Sequence, residues 1–434
     1  MPAVERVEFG RAGRRADALL GFEVESPRSG AASEAFAVRV GGWALAPGGA
    51  PESIVVGVKG RILGGTKATL PSPDIAERFP GVPGAEQCRW SLVLNTLDLP
   101  EEFAATIRGV FPGEVKARLA EVRGRRRPLA PRRAPTLAPL LVTSLGRTGT
   151  TFLMRLLAEH PEVVAYRNYP FEVRGGKYWA HVFRTLASPG DPAKRTGHVA
   201  QFTEDGPVVS GNPFLTTAFQ SWPEVDAWQG GAYVDDLADF ATRSIDGWYG
   251  AAAAAQGDAG ARFFAEKGFA DDTPHLFRLL YPEVREVFLV RDPRDMVTSM
   301  LAYNRRKGTG DFGRDRHDSD LAWMRGIRRG VDLLRNEWQA RREQAVLVRY
   351  EDLVADPAAV LAATIGPLGL DTAPATIAAV LERAAVSLPQ FDTHATSAST
   401  GASLGRWRAD LDPAFADEVA KEFSELVAFF DYPE

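Results

Sequence analysis

The feature that most constrains this chain is a change of rhythm at Leu140. Leu140–Thr143 is a short apolar run that enters a glycine-containing turn, Ser144-Leu145-Gly146-Arg147-Thr148-Gly149. Thr150–His160 then sets Leu153, Leu156 and Leu157 on one helical face before Pro161 stops the helix. A buried strand, a glycine turn and an amphipathic helix, in that order, open a parallel α/β sheet. The rhythm recurs: Val287–Val290 reads as a second strand, followed by a helix that opens at Pro293 and carries Met296, Val297, Met300 and Leu301. Leu321–Trp338 reads as a longer helix whose Trp323, Ile327, Val331, Leu334 and Trp338 form a core stripe, and Val346–Val348 as a third strand.

Upstream the pattern differs. From about residue 20 to 122, runs such as Phe36–Val40, Ile54–Val58, Trp90–Leu94, Thr106–Phe111 and Val115–Leu119 are broken by Gly and Pro clusters. Alternation of Val115, Ala117 and Leu119 with Lys116 and Arg118 fits half-buried strands, so a small β-sandwich is expected. Between the two patterns, Arg125, Arg126, Arg127, Arg132 and Arg133 sit among Pro128, Pro131, Pro135 and Pro139. That composition suits a solvated, stiff linker better than a polyanion-binding patch. The expected organisation is a β-rich accessory domain over 1–122, a linker over 123–139 and a catalytic-type α/β domain over 140–434. A chain of 434 residues exceeds what one core usually organises, which agrees.

A net charge of −5 disfavours a nucleic-acid partner, although an anionic small molecule needs only a local cationic pocket. Cys88 is the only cysteine, which excludes an internal disulfide and a cysteine zinc cluster. The first residues carry Glu5 and Glu8 and no apolar core of a signal peptide, and no apolar stretch is long enough to span a membrane. A cytoplasmic location is therefore expected.

In the turn, Gly146 and Gly149 let the backbone curl round an anion, so that successive N–H groups point inward with a helix dipole behind them. Arg147 adds a fixed charge, and Ser144, Thr148, Thr150 and Thr151 add hydroxyls. A nucleoside-triphosphatase loop would end in Gly-Lys-Ser/Thr; this one ends in Gly149-Thr150-Thr151, which counts against an ATP- and magnesium-dependent kinase.

Arg147-Thr148-Gly149-Thr150-Thr151-Phe152-Leu153 resembles the 5′-phosphosulfate loop of the sulfotransferases that use 3′-phosphoadenosine-5′-phosphosulfate (PAPS), with Thr148 in place of the usual Ser. Val290-Arg291-Asp292-Pro293-Arg294-Asp295-Met296-Val297-Thr298-Ser299 is similar to that family's 3′-phosphate motif, an Arg at a strand tip followed eight positions later by a Ser. Arg349-Tyr350-Glu351-Asp352-Leu353 resembles its Tyr-Glu-Asp-Leu segment, which implies that Tyr350 lies by the adenine. Gly405-Arg406-Trp407-Arg408 is similar to the closing segment of bacterial members, implying that Arg406 or Arg408 approaches the 3′-phosphate. The resemblance runs from Leu140 to about Tyr432. It implies a P-loop-like parallel sheet flanked by helices, with PAPS as donor, 3′,5′-diphosphoadenosine as product, no metal, and a hydroxyl-bearing acceptor such as a carbohydrate or phenolic small molecule.

Sulfuryl transfer is an in-line displacement in which positioning and charge stabilisation do most of the work. Arg147 is the candidate for the bridging oxygen, with Lys267 of Ala265-Glu266-Lys267-Gly268 similar to a Lys that relatives keep near the sulfuryl group. The acceptor hydroxyl must lose a proton. Glu172 of Tyr169-Pro170-Phe171-Glu172 is the preferred base, made more basic by desolvation from Tyr169, Phe171 and Trp179; His275 and His181 are rivals. Aromatic residues from Trp179 through Phe183, Phe214, Phe219, Trp222, Trp228 and Tyr233 to Trp248 and Tyr249 are expected to wall an acceptor pocket, or to serve as helical core. Gly42-Trp43-Ala44, Pro73-Asp74-Ile75-Ala76 and Phe79-Pro80 resemble a β-domain attached to bacterial glycan-modifying transferases. A non-catalytic glycan-binding protein with a degenerate transferase domain stays open, and requires that Arg147 and Arg291 fail to converge.

Overall fold

The structure, a computed structural model, describes residues 2–10, 18–58, 61–130, 134–189, 223–258, 260–271, 273–308, 311–386, 396 and 401–433. The chain divides into two compact units, Met1–Arg133 with His181–Ala241, and Ala134–Ala180 with Thr242–Glu434. The first unit therefore draws on a segment that the sequence assigns to the α/β domain. No helix among the described residues is long and apolar enough to cross a membrane.

The first unit holds strands β1 (Val4–Gly10), β2 (Gly21–Ser26), β3 (Ala31–Ser33), β4 (Ala37–Leu45), β5 (Ser53–Val58), β6 (Arg61–Thr66), β7 (Arg89–Asn95), β8 (Glu102–Phe111) and β9 (Val115–Arg126). They form a six-stranded sheet, β3-β1-β9-β8-β5-β6, and a three-stranded one, β2-β4-β7. Each sheet turns one face inward. On β8, Phe103, Ala105, Ile107 and Phe111 are buried, and they share a core with Val38 and Val40 of β4 and Trp90, Leu92 and Leu94 of β7. Burying each large apolar side chain contributes about 1.5–3 kcal/mol.

β9 extends through Arg126, which corrects the expectation that a linker begins at Arg123. The arginine run keeps the two-residue period of a strand: Arg123 pairs with Glu121 at 2.5 Å on the exposed face. Arg126 turns inward instead, and its Nε donates to the Leu99 carbonyl at 3.2 Å. Arg127 makes a two-pronged pair with Asp235, 3.1 and 2.7 Å. Arg132 and Arg133 lie outside the described residues. Trp43, Ile75 and Cys88 are buried together with Phe79 packed on them, so the motif segments of this unit build a satellite core.

The second unit is the parallel α/β sheet. Strands β10 (Ala138–Thr143), β11 (Val163–Ala165), β12 (Phe263–Gly268), β13 (Arg285–Val290) and β14 (Ala345–Arg349) lie in the order β11-β12-β10-β13-β14. β10 pairs with β12 on one side, Thr143 opposite Gly268, and with β13 on the other, Thr143 opposite Phe288. Later connections thus run to both sides of β10, which opens a crevice at the carboxyl ends of these strands, where such sheets hold ligands. Helices Thr150–Ala158 and Tyr350–Ala355 contribute Leu153, Leu156, Leu157 and Leu353 to one core; Pro293–Lys307 and Asp320–Arg341 contribute Met296, Val297, Trp323, Val331 and Leu334 to the other. The sequence stripe from Trp323 to Trp338 is core packing, as expected. β11 and β12 escaped the sequence reading, and β12 is the strand that carries Lys267.

Candidate active site

The phosphate loop sits where β10 ends. Gly149 is the N-cap residue of the helix Thr150–Ala158 and has φ +89, a conformation that costs a side chain dearly. A Cβ there would also lie 2.2 Å from the Tyr350 ring, so glycine is required twice over. Thr148 donates its hydroxyl to the Leu145 carbonyl at 2.9 Å, and the Ser144 amide donates to the Gly268 carbonyl at 3.2 Å. Arg147 takes φ +65, uncommon for a residue with a side chain and the kind of strain that gathers at ligand sites.

Beyond the tip of β13, Arg291 is 6% exposed. Its Nη1 donates to the Arg147 carbonyl at 3.1 Å and its Nη2 to the Ser403 carbonyl at 2.5 Å, while its buried Nε has no hydrogen-bond partner among the described residues. The Arg147 guanidinium donates to the Ser299 hydroxyl and to Thr396 Oγ1, both at 3.1 Å, and lies 5.0 Å from the centre of the Tyr303 ring. Burial, and then the charge of Arg291, push the Arg147 guanidinium below its ordinary pKa. Two cations are thus held close together around hydroxyls.

The closing segment is fastened to the same helix. Asp295 accepts from the amides of Gly405 and Trp407 at 2.6 and 3.1 Å, and burial pushes its carboxyl up. Arg406 consequently reaches Thr396, donating to its carbonyl at 2.7 Å. Arg408 points elsewhere, exposed and stacked on Trp407 at 4.3 Å.

At the other end, Lys267 is 5% exposed. Its ammonium donates to Thr151 Oγ1 at 3.1 Å, to Glu172 Oε1 at 2.9 Å and to the Pro170 carbonyl. Burial pulls Lys267 below the ordinary lysine range, with Glu172 opposing the shift. The second carboxylate oxygen of Glu172 accepts from Arg174 Nη2 at 2.6 Å. The preceding residue on β12 secures this segment from the opposite face: buried Glu266 accepts from the Gly176 and Lys177 amides, both at 2.8 Å, and from Tyr249.

One cavity of about 630 Å³ is lined by Ser144–Arg147, Gly149–Thr151, Glu172, Arg174, Lys267, Arg291, Ser299, Tyr350, Thr396 and Ser403; Thr148 of the loop is buried, and Arg406 and Arg408 are not among the lining residues. Among the described residues, no cluster of three or more His, Cys, Asp or Glu side chains is arranged to hold a metal ion.

Residues 139–374, more than half of the chain, match the family model described as the sulfotransferase family. This chain belongs to the sulfotransferase family. The sulfotransferase is similar to the sulfotransferase domain of the Synechococcus PCC 7002 olefin synthase, with 20% identity over 71% of this chain and 100% of that one and a TM-score of 0.38. It is also similar to a sulfotransferase of Mycobacterium avium, with 15% identity, 69% and 78% coverage and a TM-score of 0.34. A mouse sulfotransferase solved in complex with PAP gives 11% identity, 67% and 85% coverage and a TM-score of 0.35. No curated protein matches the chain.

Several sequence expectations for this sulfotransferase need correction. Glu172 is half exposed and bonded to two cations, so the apolar burial expected around it is absent. His275 lies on the helix Thr273–Leu280 and His181 is exposed; neither lines the cavity. Tyr350 is 5% exposed, with its ring against Gly149 and 4.9 Å from the Arg291 guanidinium, which makes it a prop for the loop more than an open face for a base. Among the expected wall residues, Phe214, Phe219 and Trp222 lie outside the described residues, and Phe183 and Tyr249 are fully buried core. The aromatic lining comes instead from Tyr169, Phe269, Tyr303 and Phe312. Arg174 could have been found in sequence as a cation two residues beyond Glu172; Phe312 and Thr396 carry no such signal.

Proposed function

We propose that this sulfotransferase takes PAPS as donor and transfers its sulfuryl group to an acceptor hydroxyl. The observation that carries the reading is the convergence of Arg147 and Arg291 on the cavity that also contains the glycine loop. A buried guanidinium Nε without a hydrogen-bond partner among the described residues, and a second guanidinium depressed by burial and then by its cationic neighbour, are both relieved by a phosphate. The non-catalytic alternative required these arginines to diverge, and a kinase would place a lysine where Thr150 stands.

The amides of Gly146–Thr151 are assigned to the 5′ side of the nucleotide, and Arg291, Ser299 and Arg406 to its 3′-phosphate. Arg147, bonded to Ser299, is assigned to the 3′ end as well, which leaves the transferring group to Lys267. Bound PAPS supplies the sulfuryl group: the acceptor oxygen–sulfur bond forms as the sulfur–phosphate oxygen bond breaks, with the electron pair departing on 3′,5′-diphosphoadenosine. Lys267, fixed between Thr151 and Glu172, stabilises the developing negative charge. Glu172 accepts the hydroxyl proton. No step calls for a metal, and the acceptor class stays with a sugar or phenolic hydroxyl.

Glu172→Gln is expected to lower turnover of PAPS by roughly 10²–10⁴-fold, followed as acceptor sulfation by mass spectrometry, with nucleotide affinity retained. A variant that keeps near-full turnover would remove Glu172 from the role of base.

A further inference from the structure

The acceptor end of the cavity contains a carboxylate that is already engaged. Each oxygen of Glu172 accepts a hydrogen bond from a cation, Lys267 at 2.9 Å and Arg174 at 2.6 Å. A hydroxyl that is to donate to Glu172 must displace or share one of them. Lys267 is fixed, since it is buried and also holds Thr151 and the Pro170 carbonyl. Arg174 is the exchangeable partner: Glu172 is its ion-pair partner, and its Nε has no hydrogen-bond partner among the described residues. The Arg174 guanidinium lies 4.5 Å from the centre of the half-exposed Phe269 ring, which would keep it at the cavity wall after Glu172 lets go.

Charge leads to the same place. Two cations share one carboxylate, and when Glu172 takes the hydroxyl proton that carboxylate becomes neutral. Lys267 then faces the departing phosphate, while Arg174, only partly exposed, loses its ion-pair partner at the cavity wall, a place that an anion on the acceptor can take. Lys177, the other cation by the Phe269 ring, already has Asp271 at 2.6 Å.

We propose that the acceptor carries its own oxyanion, a carboxylate or its equivalent, near the reacting hydroxyl, and that Arg174 is the specificity residue that receives it. The proposal rests on the reading of this cavity as a sulfuryl-transfer site with Glu172 as base. Binding of the acceptor anion draws Arg174 off Glu172 and so exposes the base only when a suitable hydroxyl is present.

The test uses the full chain saturated with 3′,5′-diphosphoadenosine and titrated calorimetrically with phenol, 3-hydroxybenzoate and 4-hydroxybenzoate. The better hydroxybenzoate is expected to bind about tenfold more tightly than phenol, through a charge-assisted, two-pronged pair with Arg174 that phenol cannot make. Arg174→Gln should erase that preference, while Arg174→Lys, which keeps the charge, should retain part of it. Equal binding of the three probes, no binding of any, or a preference that survives Arg174→Gln overturns the proposal. Failure of the nucleotide itself to bind would instead remove the sulfuryl-transfer reading beneath it.

Discussion

The two ends of the cavity use arginine and lysine in opposite ways. At the end assigned to the 3′-phosphate, Arg291 bonds carbonyl oxygens and Arg147 bonds hydroxyls, while the more peripheral Arg406 pairs with a carboxylate, Asp410 at 2.6 Å. At the acceptor end, Lys267, Arg174 and Lys177 each bond a carboxylate. Neutral hydrogen bonds contribute a net ~0.5–1.5 kcal/mol and charged ones ~1.5–3, so the first set of cations gains most when an anion arrives. The half-exposed Glu172–Arg174 pair is worth only about 0–1 kcal/mol, so it is cheap to open. Under the proposed function, one end retains a phosphate and the other exchanges partners during turnover.

Gly149→Ala attacks the first end hardest. Its left-handed backbone and the contact with Tyr350 should together cost about 2–4 kcal/mol of stability and remove most nucleotide affinity. Chemical denaturation and calorimetry on the same sample check this; a variant as stable as wild type would mean that the loop geometry is not as rigid as described.

Proton linkage sharpens the second end. Lys267 is held below the ordinary lysine value by burial. A phosphate arriving beside it favours the ammonium and raises the pKa, so protons are taken up at pH values between the depressed and the restored one. Nucleotide binding measured below the ordinary lysine range in two buffers of different ionisation heat should show net proton uptake. Lys267→Arg should abolish it, because a guanidinium stays charged. Proton release would reverse the assigned electrostatics.

Arg406 and Arg408 provide the finest distinction. Arg406→Ala should weaken nucleotide binding about tenfold, ~1.4 kcal/mol, because Arg406 is fastened to Thr396 at the first end. Arg408→Ala should change it by less than about twofold, as expected of an exposed side chain stacked on Trp407. Equal losses would contradict the placement of the closing segment.

Legibility followed the chemistry that each stretch had to perform. The loop and the Arg291–Ser299 motif were visible because glycine, proline and arginine are needed at set places along one strand–turn–helix unit. β12 was hidden, since its apolar core Phe263-Phe264-Ala265 is only three residues long and is followed by two charged ones, Glu266 and Lys267. Both are buried: Glu266 meets two amides and Tyr249, and Lys267 meets the loop. Burial of charge depends on partners distant in sequence, which no local pattern reports. The arginine run 123–126 misled for the converse reason, because a strand period with long charged side chains resembles a linker until its partners are known. Likewise the sequence motif pointed to Tyr350 as a residue beside the adenine, but the contact with Gly149 that buries its ring comes from a loop some two hundred positions away in sequence.

The central claim is that Arg147 and Arg291 grip one nucleotide. Calorimetric titration of the full chain with 3′,5′-diphosphoadenosine, repeated with Arg291→Ala, tests it most directly. Saturable one-to-one binding that weakens by about a hundredfold in the variant is the predicted result. Absence of binding to the folded wild type, or equal affinity in the two proteins, would contradict it.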